Sequence, residues 1–79
     1  MVDDASINVI LFTLMNKKEI GEYIVDRRDA LHISQGRLAE LSGVSVHTLS
    51  NLETGNGNVT VETLLKITEI LGLKVSVGI

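Results

Sequence analysis

The sequence predicts a small, mainly α-helical domain that ends in a β-strand. Four segments each combine a polar capping residue with apolar side chains at helical spacing. Residues 73–79 (LKVSVGI) instead alternate apolar and polar side chains, as a half-buried strand does. The chain has 79 residues, enough for one domain, and contains no cysteine, which excludes disulfides and thiolate metal sites. So small a core is often completed by oligomerisation.

The N-terminal residues 1–15 are predicted to be an extension that contains a strand. Residues 7–15 (INVILFTLM) are apolar and of strand length, with a helix as the alternative. This run is too short to cross a membrane and lacks the basic start of a signal peptide, so we expect a cytoplasmic protein with no membrane contact. Because MNKKEIGEYI resembles a natural start at Met15, two interpretations stay open: residues 7–14 form an additional strand beside the tail sheet, or residues 1–14 are an upstream extension.

The helical domain is expected over residues 16–72. Polar capping residues are predicted to begin its four helices: Asn16, Ser34, Ser45 and Thr60. Glycines that tolerate a left-handed backbone are predicted to end the second and fourth helices: Gly43 and Gly72. Among the apolar side chains expected to face the core are Leu31, Leu41, Val61 and Leu65.

Two short helices joined by a tight glycine turn form a helix-turn-helix. Residues 34–55 read SQGRLAELSGVSVHTLSNLETG, and residues 60–72 read TVETLLKITEILG. In residue type and spacing this pattern closely resembles the phage repressor/Cro-like (XRE-type) family, over about residues 20–72. The resemblance implies a lambda-repressor-like helix-turn-helix bundle of four to five helices that binds double-stranded DNA.

The resemblance also assigns roles to individual residues. The third helix is expected to present four base-reading side chains: Val46, His47, Ser50 and Asn51. An asparagine carboxamide can pair with adenine, and a valine can contact a thymine methyl group, although a merely solvated face is the alternative. Six further polar residues are predicted to contact DNA phosphates: Ser34, Gln35, Ser45, Thr48, Asn56 and Asn58.

Other polar residues are expected to serve the fold. Arg28 and Glu53 resemble a buried ion pair of the family that ties the first helix to the end of the third. His32 and His47 share no helix-turn spacing and no carboxylate cluster, so neither a metal nor a cofactor is expected. The sequence holds no P-loop, nucleophile motif or paired acid set, and we therefore expect no enzymatic activity.

The C-terminal residues 73–79 are predicted to be a dimerisation strand. A lone strand leaves its backbone groups unpaired, so we expect antiparallel pairing with a second copy in a homodimer. Four apolar side chains would face the shared core: Leu73, Val75, Val77 and Ile79. A helix end followed by such a strand resembles HipB-type antitoxins. That resemblance implies a repressor that autoregulates a toxin–antitoxin operon and neutralises a HipA-like kinase toxin.

The charge of the chain does not favour DNA. The 7 basic and 10 acidic residues give a net charge of −3, whereas residues 16–79 carry 7 basic and 8 acidic residues. A nearly neutral binding face predicts weak DNA binding with a shallow salt dependence, which a toxin partner could strengthen by avidity. Two alternatives stay open: a stand-alone regulator, such as a phage repressor or restriction–modification controller, and a protein-interaction module that has lost DNA binding.

Overall fold

A computed structural model describes residues 9–11 and 16–76, without the side chains of residues 9–11, 75 and 76. The described elements follow in the order β1 (Val9–Leu11), α1 (Lys17–Ala30), α2 (Gln35–Ser42), α3 (Val46–Thr54), α4 (Val61–Ile70) and β2 (Lys74–Ser76). Helix α1 packs on α3, and α2 packs on both α3 and α4. The mainly helical class is confirmed, with four helices in the described part of the chain.

The helices begin at the predicted capping residues. Asn16 Oδ1 accepts a hydrogen bond from the Glu19 N–H at 2.8 Å, and Glu19 Oε1 accepts from the Asn16 N–H at 3.3 Å, which completes a capping box. The other three caps each accept from the N–H three residues further along: Ser34, Ser45 and Thr60. Gly43 ends α2 at φ 71°, the left-handed conformation predicted for it.

The core lies between the four helices and extends to the residue before β2. Its buried apolar side chains are Ile24, Leu38, Ala39, Leu49, Leu52, Leu64, Ile67, Leu71 and Leu73. Ala39 is 2% exposed on α2, the helix that packs on both α3 and α4. Leu73, predicted for the dimer core, is buried within its own chain.

The prediction was wrong for four apolar side chains. They are between 39% and 65% exposed: Leu31, Leu41, Val61 and Leu65. Leu31 lies at the C-cap of α1, beyond the last full turn. On α2 the inward position next to Leu41 belongs to Ser42, whose hydroxyl donates to the Leu38 carbonyl at 2.5 Å. A buried serine is tolerated there because its hydroxyl is satisfied within the helix.

The two short strands form a parallel pair within the chain. Val9 lies opposite Lys74, Ile10 opposite Val75 and Leu11 opposite Ser76. Strand β2 therefore has a partner in its own chain, and a sheet between two subunits stays a prediction. Residues 1–8, 12–15 and 77–79, which include Val77 and Ile79, lie outside the described residues, and the predicted domain boundaries stay predictions.

Candidate nucleic-acid interface

Helix α3 has one buried and one outward face. Leu49 and Leu52 fix the inner side in the core. The outer side carries the four predicted base-reading residues, which we call the reader face: Val46, His47, Ser50 and Asn51. Val46 and His47 are exposed, whereas Ser50 and Asn51 are half-buried. The predicted side chains therefore share one accessible surface of a two-and-a-half-turn helix.

Within the reader face, His47 and Asn51 lie one helical turn apart and in contact. The distance between Asn51 Nδ2 and His47 Nε2 is 3.4 Å. An amide nitrogen carries two hydrogens, so this contact leaves Asn51 one N–H and its Oδ1 for another partner. A donor and an acceptor on one carboxamide match the exposed edge of adenine in the major groove.

The starts of α2 and α3 carry most of the predicted phosphate contacts. The Ser34 hydroxyl accepts from the Arg37 N–H at 3.0 Å, and the Ser45 hydroxyl accepts from the Thr48 N–H at the same distance. Thr48 and Ser45 hydroxyl oxygens are also 2.9 Å apart. Gln35 is half-buried, and its Nε2 donates to Glu53 Oε1 at 2.9 Å, which leaves its second amide hydrogen for a phosphate.

The loop of residues 55–58 follows α3 and holds the remaining predicted phosphate contacts. Asn56 Nδ2 donates to Thr54 Oγ1 at 3.0 Å, and the Asn56 N–H donates to the Asn51 carbonyl at 2.9 Å. Asn58 Oδ1 accepts from Lys17 Nζ at 2.8 Å. Sequence reasoning missed Lys17, because 41 residues separate it from Asn58 and no local pattern connects them.

Arg28 and Glu53 form a two-pronged ion pair between α1 and α3. Arg28 Nε lies 2.7 Å from Glu53 Oε2, and Arg28 Nη2 lies 3.1 Å from Glu53 Oε1. The side chains are 14% and 6% exposed. Hydrogen bonding to Glu53 raises the pKa of Arg28 against the opposing effect of burial. Since Gln35 also donates to Glu53, one carboxylate connects α1, the start of α2 and the end of α3.

A glycine in α1 lets this helix approach α3 unusually closely. A Cβ atom on Gly21 would lie 2.5 Å from the carbonyl oxygens of both Leu52 and Glu53, far inside van der Waals contact. Only glycine fits there without a backbone shift. The sequence did not predict this position, because a glycine within a helix does not indicate which residues of another helix lie against it.

The described residues contain no group of three histidine or carboxylate side chains that could hold a metal ion. Over the same part of the chain, no helix is long and apolar enough to cross a membrane.

Three comparisons with known proteins agree with this geometry. The helix-turn-helix family matches residues 24–77. The chain is 39% identical over 59 residues, 75% of its length, to MJ1164 of Methanocaldococcus jannaschii, designated an HTH-type transcriptional regulatory protein, and spans 19% of that protein. Its structure is similar to the restriction-modification controller protein C.AhdI from Aeromonas hydrophila, with a TM-score of 0.66, 31% identity and coverage of 70% of this chain and 83% of the other.

A helix-turn-helix with an accessible polar face on its second helix is the arrangement that DNA-binding regulators place in the major groove. The chain belongs to the XRE-type helix-turn-helix family.

Proposed function

We propose that the protein is a sequence-specific repressor that binds double-stranded operator DNA through α3. The observation that carries this proposal is the reader face, whose four side chains are accessible on a helix anchored by the Arg28–Glu53 pair. The major groove, about 12 Å wide, admits an α-helix presented in this way. A fixed helix loses little freedom on binding, which favours discrimination between base pairs.

The reader face supplies the base contacts in this proposal. Asn51 pairs with adenine through its carboxamide, His47 contacts an adjacent base edge, and Val46 packs against a thymine methyl group. The predicted phosphate contacts then fix the register of the helix in the groove: Ser34, Gln35, Ser45, Thr48, Asn56 and Asn58. All six side chains are neutral, so these contacts release no counterions of their own.

The repressor acts as a homodimer in this proposal. Two copies related by a twofold axis read two half-sites about 34–36 Å apart, or one helical turn of DNA. Strand β2 pairs with β1 on one side, and its other edge pairs with none of the described residues. The exposed Val61 and Leu65 lie one turn apart on α4 and add apolar surface that a second copy would cover.

A binding-site selection from random DNA duplexes tests the proposed function. The full chain should enrich a two-fold symmetric sequence. Asn51→Ala should lose discrimination at one base pair per half-site by about 1–3 kcal/mol. The matched Asn56→Ala variant, which alters a phosphate contact, should weaken all sequences alike. If the wild-type chain enriches no sequence, the protein-interaction module is favoured instead.

A stand-alone regulator is the second candidate. The similarity to the restriction-modification controller C.AhdI, at 31% identity, supports it. The antitoxin role rests on the helix end followed by a strand, and it adds a HipA-like kinase toxin as partner. The neighbouring gene separates the two: a kinase-like gene favours the antitoxin, and a methylase with a nuclease favours the controller. Co-purification of a neighbouring kinase with this chain would establish the toxin complex.

A further inference from the structure

The basic side chains of the described residues differ in the groups that they contact. Three lie within 4.0 Å of a carboxylate: Arg28, Arg37 and Lys66. Arg27 Nε donates to the Leu71 carbonyl at 3.0 Å, at the C-terminal end of α4. These four cations are therefore committed to the fold or to neighbouring acids. Lys17 differs from them, because it contacts the loop that follows the reader helix.

Lys17 holds this loop through two oxygen atoms. Its Nζ donates to the Gly57 carbonyl at 3.0 Å and to Asn58 Oδ1 at 2.8 Å. The first turn of α1 lies directly against the loop, since a Cβ atom on Gly55 would be 2.9 Å from the Lys18 Cα. Both Gly55 and Gly57 have left-handed φ values, 74° and 70°. The loop path that brings Asn58 to the ammonium group therefore depends on glycine.

The same loop borders the reader face. A Cβ atom on Gly57 would lie 3.6 Å from Asn51 Nδ2, and the Gly57 carbonyl is 3.0 Å from Lys17 Nζ. Residue 57 thus lies beside a predicted base-reading side chain and accepts a hydrogen bond from a lysine. A DNA strand whose bases contact Asn51 would pass its backbone close to this loop.

We propose that Lys17 and Asn58 together bind a DNA backbone phosphate beside the reader face, an inference that rests on the proposed function. An ammonium group has three donors, and two of those on Lys17 are used within the chain. None of the described residues accepts from the third, which can therefore donate to an anionic oxygen. Because Asn58 Oδ1 is fixed on Lys17, Nδ2 of the same carboxamide lies close by, and it donates to none of the described residues. The site thus combines one positive charge with a neutral donor.

The position of Lys17 gives it two effects on binding. It orders the loop by holding two of its oxygens, and it supplies a charge that the loop, Gly-Asn-Gly-Asn, lacks. A lysine that neutralises one phosphate releases about one counterion, so it steepens the salt dependence of binding by about one unit. Lys17 therefore contributes affinity without sequence preference.

The test compares Lys17→Gln with Lys18→Gln in the full chain. Lys18→Gln is the matched control, because it removes the same charge one residue further along. The Lys18 side chain forms no hydrogen bond to residues 55–58. Binding is measured against the selected operator duplex and a scrambled duplex of equal length, over a range of salt concentrations. We expect Lys17→Gln to weaken binding to both duplexes roughly tenfold and to reduce the salt slope by about 1. Lys18→Gln should change affinity less than about threefold.

Lys17→Arg separates the charge from the loop contacts. The arginine keeps the charge, so the salt slope should stay near that of the wild type even if affinity falls. The inference is overturned if Lys17→Gln and Lys18→Gln give equal affinities and slopes, or if Lys17→Gln alters only operator binding. A wild-type chain that binds neither duplex would overturn the proposed function as well. Wild-type binding with an unaffected Lys17→Gln variant refutes this inference alone.

Discussion

The Arg28–Glu53 pair allows a quantitative test of how α3 is anchored. Glu53→Met would leave the Arg28 guanidinium, whose side chain is 14% exposed, without two acceptors. Breaking a buried pair from one side costs about 3–5 kcal/mol. Arg28 keeps the Ile33 carbonyl as an acceptor at 3.1 Å, so the lower end of that range applies. We expect a loss of about 3 kcal/mol, which lowers the Tm of so small a domain by roughly 12–24 °C.

Removing the other partner of the pair should have a comparable effect. Arg28→Met should destabilise the chain by a similar amount, because it leaves the buried carboxylate of Glu53 without an opposite charge and with the neutral Gln35 amide as donor. The double variant Arg28→Met/Glu53→Met should recover much of the loss, since removing both charges avoids the uncompensated one. Urea and thermal unfolding, followed by far-UV circular dichroism, give the free energy of unfolding of the wild type, the two single variants and the double variant. The double-mutant cycle then gives the coupling free energy between the two charges.

The Arg37–Glu40 pair provides the control. Its side chains are 58% and 69% exposed, so Arg37→Met should change the free energy of unfolding by less than about 1 kcal/mol. If Glu53→Met costs no more than Arg37→Met, the pair does not anchor α3. Strict additivity of the two single changes would refute the reasoning equally, because it would mean that the charges act independently.

Two further predictions follow from helix geometry. Gly21→Ala should destabilise the chain by about 1–3 kcal/mol, because its Cβ would lie 2.5 Å from two carbonyl oxygens. Gly36→Ala, with no atom within 4 Å of its Cβ, should instead stabilise α2 by about 0.5–1 kcal/mol, and chemical denaturation compares the two. Ser45→Ala removes the N-cap of α3 and should cost about 1 kcal/mol and weaken operator binding, whereas an unchanged Tm would contradict this role.

Local signals in the sequence were sufficient to predict the helices and the reader face. A helix start depends on a capping side chain that accepts a hydrogen bond from the backbone N–H three residues later. Asn16 and Ser45 could therefore be identified from their neighbours in the sequence. The outer face of α3 follows from the spacing of Leu49 and Leu52 in the same way. These features need no knowledge of the remaining chain.

Contacts between distant segments could not be predicted in this way. Gln35 donates to Glu53 and Lys17 reaches Asn58, and in both cases the partner lies on another element. Apolar character misled the prediction at Leu41, because periodicity permits a wide stripe and only packing decides which positions are covered. Gln35, predicted to contact a phosphate, also donates a hydrogen bond to Glu53 of the ion pair.

The acidic excess of the chain is compatible with the proposed DNA binding, because DNA responds to the charge of the surface that contacts it and not to the net charge of the chain. Glu53 is buried and paired, and Glu40 and Glu62 each lie beside a basic residue on their own helix, so these acids contribute little to the field outside. Lys17, by contrast, donates to two neutral oxygens next to the reader face. Lys17 therefore adds a positive charge at this place although the total is −3. Affinity should consequently respond more to this one lysine than to the removal of Glu40 or Glu62.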